Sequence, residues 1–207
     1  MVIIGLTGSM AMGKTTVAGM FRYLRIPVYD ADATVHAMLA KGGEAVEDVA
    51  GLFPGVVEDG AVNRARLGAE VFGKDDALAG LEAILHPMVR RQQSRFLKRA
   101  MGRRAALAVL DVPLLFEPRG EDHCDLVAVV SASPFLQRAR ILSRPGMSAQ
   151  KMRDILARQV PDGEKRRRAD FIINTGLDRQ QSLRQVRNIV TVAGTMTGTH
   201  WPPVKPR

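Results

Sequence analysis

Val2-Ile3-Ile4-Gly5-Leu6-Thr7-Gly8-Ser9-Met10-Ala11-Met12-Gly13-Lys14-Thr15-Thr16 is the stretch that decides the fold. Residues 2–7 form a continuous, β-branched, apolar run, the pattern of a strand buried on both faces. The run leads straight into G-x-x-x-x-G-K-[ST], with Gly8, Gly13, Lys14 and Thr15 at the four required positions. A helical pattern follows without a gap, over 14–25. Gly8 and Gly13 let the backbone turn tightly and approach an anion closely, so the amides of the loop form a nest. The helix N-terminus adds a partial positive charge. Gly8, Ala11, Met12, Gly13, Lys14, Thr15 and Thr16 are therefore the expected nucleotide-binding residues. Lys14 is assigned to the β- and γ-phosphates, and the Thr15 hydroxyl to Mg²⁺.

Working outward, similar apolar runs recur at 26–30, 105–112, 125–131 and 169–175. Helical composition fills 14–25, 31–40, 64–101, 133–143, 148–159 and 178–193. Strands alternating with helices predict an α/β fold, a three-layer architecture around a mostly parallel five-stranded sheet, because parallel strands need crossovers. The gap between the second and third strands exceeds one crossover helix, so 33–104 is expected to be a mostly helical insertion. The expected organisation is a single domain over 1–207. It has a nucleotide core at about 1–32 and 105–193, a lid at about 140–168 and a loose tail at about 194–207 carrying Pro202, Pro203 and Pro206.

Composition narrows the class. With 207 residues, 46% hydrophobic and 25% charged, the chain has ample apolar surface for a core and is neither a disordered tail nor a disulfide scaffold. The lone Cys124 excludes an intrachain disulfide and a four-cysteine zinc site, and reads as a small buried or half-buried residue. No run approaches a membrane span and no basic segment precedes the first apolar run, so a cytoplasmic protein without a membrane partner is expected. The formal charge of +9 points to anionic partners.

Two strand ends carry carboxylates. Asp30 and Asp32 follow the second strand, where ligands of open α/β sheets bind. A carboxylate there suits acceptance of a hydroxyl proton, but Asp32 is equally placed to cap the next helix. Asp111 closes the third strand and reads either as a carboxylate holding Mg²⁺ through water or as a strand-end residue bonding neighbouring amides. The chain has neither an N-K-x-D guanine-reading motif nor an LSGGQ-like transporter signature, which leaves ATP-dependent kinases of small molecules.

The order and spacing of GLTGSMAMGKTTVA, VYDAD (28–32), NRARLGAEVF (63–72), LEAILHPMVR (81–90), DVPLLFE (111–117), RARILSRPGMS to ARQ (138–159) and ADFIINTG (169–176) resemble the dephospho-CoA kinase family. The resemblance runs from about residue 3 to about 190. It implies a P-loop NTPase fold and ATP-dependent phosphorylation of the 3′-hydroxyl of the dephospho-CoA ribose, with ATP and Mg²⁺ required. Asp32 matches the residue thought to activate that hydroxyl, and Arg140 matches a lid arginine near the phosphates. Arg64 and His86 fall in the helical region that holds the coenzyme A precursor. A structural histidine fixing a His86-Pro87 turn is the plainer reading of His86. The family loop usually reads GGIGSGK, so Met10, Ala11 and Met12 replace Ile, Gly and Ser.

The charge suits this chemistry. Arg138, Arg140, Arg144, Arg158 and Arg166 to Arg168 lie between the fourth and fifth strands, where a lid belongs, and guanidinium groups grip phosphate in two-pronged fashion. The Arg166–Arg168 run reads equally as a solvated helix face. Pro145-Gly146 is the expected tip or hinge of the lid. Another small-molecule kinase, of nucleoside or shikimate type, is the alternative reading. A nucleic acid partner is not expected, since no basic strand interleaved with aromatics and no recognition-helix motif is present. No motif encodes an oligomeric state.

Overall fold

The computed structural model describes residues 1–116 and 120–202. Glu117 of the DVPLLFE stretch lies outside them, as do Pro203, Lys205, Pro206 and Arg207 of the tail. Two compact units are formed, one by residues 1–29 with 99–207 and the other by residues 30–98.

The first unit opens with β1 (Val2–Thr7), the loop, and α1 (Lys14–Tyr23), and the chain reaches the next strand as β2 (Val28–Asp30). The unit resumes after the insertion with β5 (Leu107–Asp111), β6 (Leu126–Ser131), α6 (Pro134–Leu142), α7 (Ala149–Ala157), α8 (Asp162–Arg167), β7 (Phe171–Asn174) and α9 (Arg179–Gly194). The sheet order is β2-β5-β1-β6-β7. β1 pairs in parallel with both β5 and β6, and β6 with β7. Every residue of β1, β5 and β6 is buried, as the unbroken apolar runs predict. Val2, Ile4 and Leu6 pack with Val17 and Phe21 of α1 and with Val186 and Ile189 of α9. Burying side chains of this size stabilises by roughly 1.5–3 kcal/mol each. The five strands fall where the sequence puts them, β1 over its full span and the other four shortened by one or two residues at one or both ends.

The second unit holds α2 (Ala31–Leu39), α3 (Val46–Leu52), a hairpin of β3 (Val57–Glu58) and β4 (Ala61–Val62), and α4 (Arg64–Val71). α5 (Asp75–Gly102) leads back to the first unit. Its core gathers Met38, Val49, Phe53, Val62, Leu67, Leu81 and Met88. Two sequence expectations are corrected here, and a short hairpin is added to the mostly helical insertion. The single helical stretch at 64–101 is two helices, interrupted at Gly73, whose φ of 77° favours glycine. The insertion also contains a hairpin, closed by Asp59 and Gly60 with φ of 53° and 77°, the pair a two-residue loop of this kind favours. His86-Pro87 makes no turn, because both residues lie inside α5. Leu81, Ile84, Leu85 and Met88 recur at helical spacing against the core and carry the helix through the proline.

Among the described residues after α9, Thr199 and His200 are held to Asp125, where a loose tail is expected. Asp125 accepts from the Thr199 amide (2.6 Å), the Thr199 hydroxyl (3.0 Å), the His200 amide (3.2 Å) and, on its other oxygen, the Ile3 amide (2.7 Å). His200 Nδ1 adds a 2.9 Å contact. Burial works to raise the Asp125 pKa, but the Thr199 and Ile3 amides and the His200 and Thr199 side chains outweigh it and hold it at about 2. Next to it, Cys124 is buried, and desolvation, then the Asp125 charge, push its thiol up to about 12. A thiol of that kind is no nucleophile. No helix among the described residues is long and apolar enough to cross a membrane.

Candidate active site

The site grows from the carboxyl end of β1. Gly8 has no room for a side chain, since a Cβ there would come within 2.6 Å of the Val130 carbonyl on β6. Gly13 takes φ of 94° at the N-cap of α1, a conformation that favours glycine. Ala11 also sits in the left-handed region, with φ of 62°. Thr16 and Val17 amides both donate to the Gly13 carbonyl, which starts the helix with Lys14 in its first turn.

Lys14 Nζ lies 2.6 Å from Asp111 Oδ1, and both side chains are largely buried, 15% and 3% accessible. Burying a carboxylate requires a partner, and Lys14 supplies it. Asp111 ends β5, the neighbour of β1 in the sheet, and stands opposite Leu6, two residues before the loop that leads to Lys14. Thr15 and Thr16 are exposed at the start of α1.

Arg140, from the last turn of α6, reaches the loop. Its guanidinium donates to the Thr175 carbonyl (2.9 Å), the Thr175 hydroxyl (3.2 Å) and the Ala11 carbonyl (3.4 Å). Two glutamines hold the tip of the loop: Gln137 donates to the Met10 carbonyl at 2.9 Å, and Gln159 accepts from the Met10 amide at 3.2 Å. Sequence reasoning missed Gln137, Gln159 and Thr175. No local pattern marks the three as loop contacts, because their partners lie 35 residues or more away in the chain.

The first unit thus brings together Gly8, Ala11, Met12, Gly13, Lys14, Thr15, Thr16, Asp111 and Arg140. Asp32, Arg64 and His86 belong to the second unit, and all three are exposed. Asp30, not Asp32, caps α2, its Oδ1 accepting from the Ala33 amide at 2.9 Å. Asp32 stands in the first turn, where a carboxylate favours the helix dipole but makes no cap. The capping reading of Asp32 is therefore replaced. His86 is likewise no turn-fixing histidine, being exposed on α5. Arg64 opens α4 behind the Asn63 cap, whose Oδ1 accepts from Ala65 and Arg66. Of the arginines in the segment expected to form a lid, Arg166 and Arg167 are solvent-facing, whereas Arg168 lies 4.4 Å from the Phe116 ring centroid and 3.7 Å from Glu164.

The family model for dephospho-CoA kinase matches residues 2–179. The chain belongs to the dephospho-CoA kinase family. A dephospho-CoA kinase of Paramagnetospirillum magneticum is 60% identical over 166 residues, covering 80% of this chain and 78% of that protein. One of Rhodospirillum rubrum is 52% identical over 193 residues, covering 92% and 91%. A crystal structure from Thermus thermophilus superposes with a TM-score of 0.82 at 33% identity, covering 92% of this chain and 96% of that one.

Against the usual dephospho-CoA kinase loop, GGIGSGK, the departures now have locations. Ala11 takes a left-handed conformation where the family has glycine. Met12, in place of serine, is 2% exposed in the main core, with its thioether 3.1 Å from the Ala132 amide. A methionine thus ties the loop to the chain just beyond β6.

Proposed function

We propose that the chain transfers the γ-phosphoryl group of ATP to the 3′-hydroxyl of the dephospho-CoA ribose, giving coenzyme A and ADP, with Asp32 as base. This is the reaction of the family to which it belongs. Amides of the loop from Ala11 to Thr16 cradle the phosphates, with Gly8 and Gly13 keeping the backbone close. Lys14 exchanges its Asp111 partner for phosphate oxygens, and Arg140 neutralises charge that builds on the transferred group. Asp32 takes the proton as the 3′-oxygen bonds to the γ-phosphorus and the bond to ADP breaks. Arg64 and His86, exposed on the second unit, hold the acceptor.

The observation that carries the reading is Lys14, seated at the start of α1 on a glycine-flanked loop and paired with a buried strand-end carboxylate. Thr15 Oγ1 and Asp111 are hard oxygen donors of the kind Mg²⁺ takes. Among the described residues no group of three or more His, Cys, Asp or Glu side chains is placed to hold a metal by itself. That fits an ion held mostly by nucleotide and water. When bound it neutralises the β- and γ-oxygens of ATP.

Coupled ADP release across dephospho-CoA, nucleosides and shikimate tests the reaction. Dephospho-CoA alone should stimulate it, and no stimulation by dephospho-CoA would overturn the reading. Asp32→Asn should lower kcat by about 10²-fold or more, the usual range for a general base, while KM changes little. Turnover near wild type would remove Asp32 from the chemistry.

A further inference from the structure

Thr175 lies just beyond the carboxyl end of β7, 9% exposed, and every one of its polar atoms is engaged. Its amide donates to the Ser131 carbonyl (2.9 Å), fixing it to the end of β6. Its carbonyl accepts from Arg140 Nη2 (2.9 Å). Its hydroxyl accepts from Arg140 Nη1 (3.2 Å) and donates to the Met12 carbonyl (2.5 Å). The same side chain fills the space in front of Gly13, where a Cβ would meet Thr175 Oγ1 at 3.0 Å.

We infer that Thr175 is a positioning residue for the phosphate loop, aligning the Met12–Gly13 peptide and Arg140 through one hydroxyl. The peptide is planar and trans, so holding the Met12 carbonyl toward Thr175 turns the Gly13 N–H away from it. One direction of the hydroxyl serves both partners: its proton goes to Met12 and its lone pair receives Arg140. Threonine suits the task because a β-branched side chain has few χ1 choices, and the hydroxyl is held in place before ATP arrives. An amide preset toward its anion needs no reorganisation on binding, and that is where the gain in affinity arises.

The inference rests on the phosphate-loop reading above, and the test separates the two. Thr175→Val keeps the shape and deletes the hydroxyl, while Thr175→Ser keeps the hydroxyl and deletes a methyl. With ATP and dephospho-CoA varied in turn, Thr175→Val should raise KM for ATP about tenfold and leave KM for dephospho-CoA within twofold. Thr175→Ser should restore KM for ATP to within about threefold of wild type. In a double-mutant cycle with Arg140→Met, the losses should be markedly less than additive, since both changes act on one node. Wild-type KM for ATP in Thr175→Val overturns the inference, as does a Ser variant no better than Val or a strictly additive cycle. If Thr175→Val does not fold, the Ser variant decides on its own, because a loss of tenfold or more there contradicts a hydroxyl role. Lys14→Ala in the same assay is the control. If it too is unchanged, the phosphate-loop reading has failed; if only the Thr175 variants are unchanged, the positioning role alone has failed.

Discussion

Ala11 shows how one residue can be read in sequence and still surprise in structure. The motif requires nothing at that position, yet the backbone takes φ of 62°, where a Cβ crowds the following carbonyl at a cost of about 1–2 kcal/mol. The Arg140 donation to the Ala11 carbonyl and the burial of Met12 next door are among the contacts that offset this cost. Replacing Ala11 by Gly should therefore stabilise the protein by about 0–1 kcal/mol, the relieved strain slightly exceeding the added entropy of the unfolded chain. Ala18→Gly, in the fully buried middle of α1, should instead lose about 1 kcal/mol. Urea denaturation of both variants checks this, and an Ala11→Gly variant that loses as much as Ala18→Gly would show that the left-handed turn is unstrained.

At the scale of elements, the connection between the end of α9 and the start of the sheet depends on Asp125. Its carboxylate joins the N-terminal ends of β1 and β6 to the Thr199–His200 segment. Because its folded pKa is lowered to about 2 from 3.8, its contribution is fully present above about pH 4 and is lost as the pH falls through about 2. Asp125→Asn should destabilise the protein at pH 7, on the order of 1–3 kcal/mol for charge-assisted bonds weakened in a buried setting. The gap to wild type should close as the pH falls toward 2. A gap that stays constant from pH 7 to pH 2 would show that the carboxylate charge plays no part. Elements also mark where sequence reading succeeded unevenly. β1, β5 and β6 were legible because burial on both faces leaves continuous apolar runs, while the shorter, partly exposed β2 and β7 kept enough apolar residues to be read. The hairpin went unread: Asp59-Gly60 is its signal, but strands of two residues carry no period to support it. α8 escaped notice because six residues, half of them basic, make no apolar stripe. Pro87 misled in the other direction: locally it argues for a break, and only the packing of Leu81, Ile84 and Met88 overrides it.

For the whole molecule, ATP binding to the native loop and not to the unfolded chain must raise thermal stability by mass action. At a free ATP concentration of one hundred times Kd the gain is about 2.7 kcal/mol, or roughly 5–10 °C for a chain of this size. Differential scanning fluorimetry should show that rise in the wild type and a much smaller one in Lys14→Ala, and equal shifts would remove Lys14 from phosphate binding. The sequence by itself determined the strand order of appearance, the phosphate loop and its lysine, the strand-end carboxylate at Asp111 and the family, because each is written in contiguous residues. Tertiary structure alone decided that Thr175, Gln137 and Gln159 serve that loop. Together with Arg140, which the family resemblance implied, they meet Met10, Ala11 and Met12 across 127 to 163 residues of chain. Parallel pairing of β1 with β6 and β6 with β7 sets their strand ends side by side, and no local pattern records which residues that pairing will bring into contact.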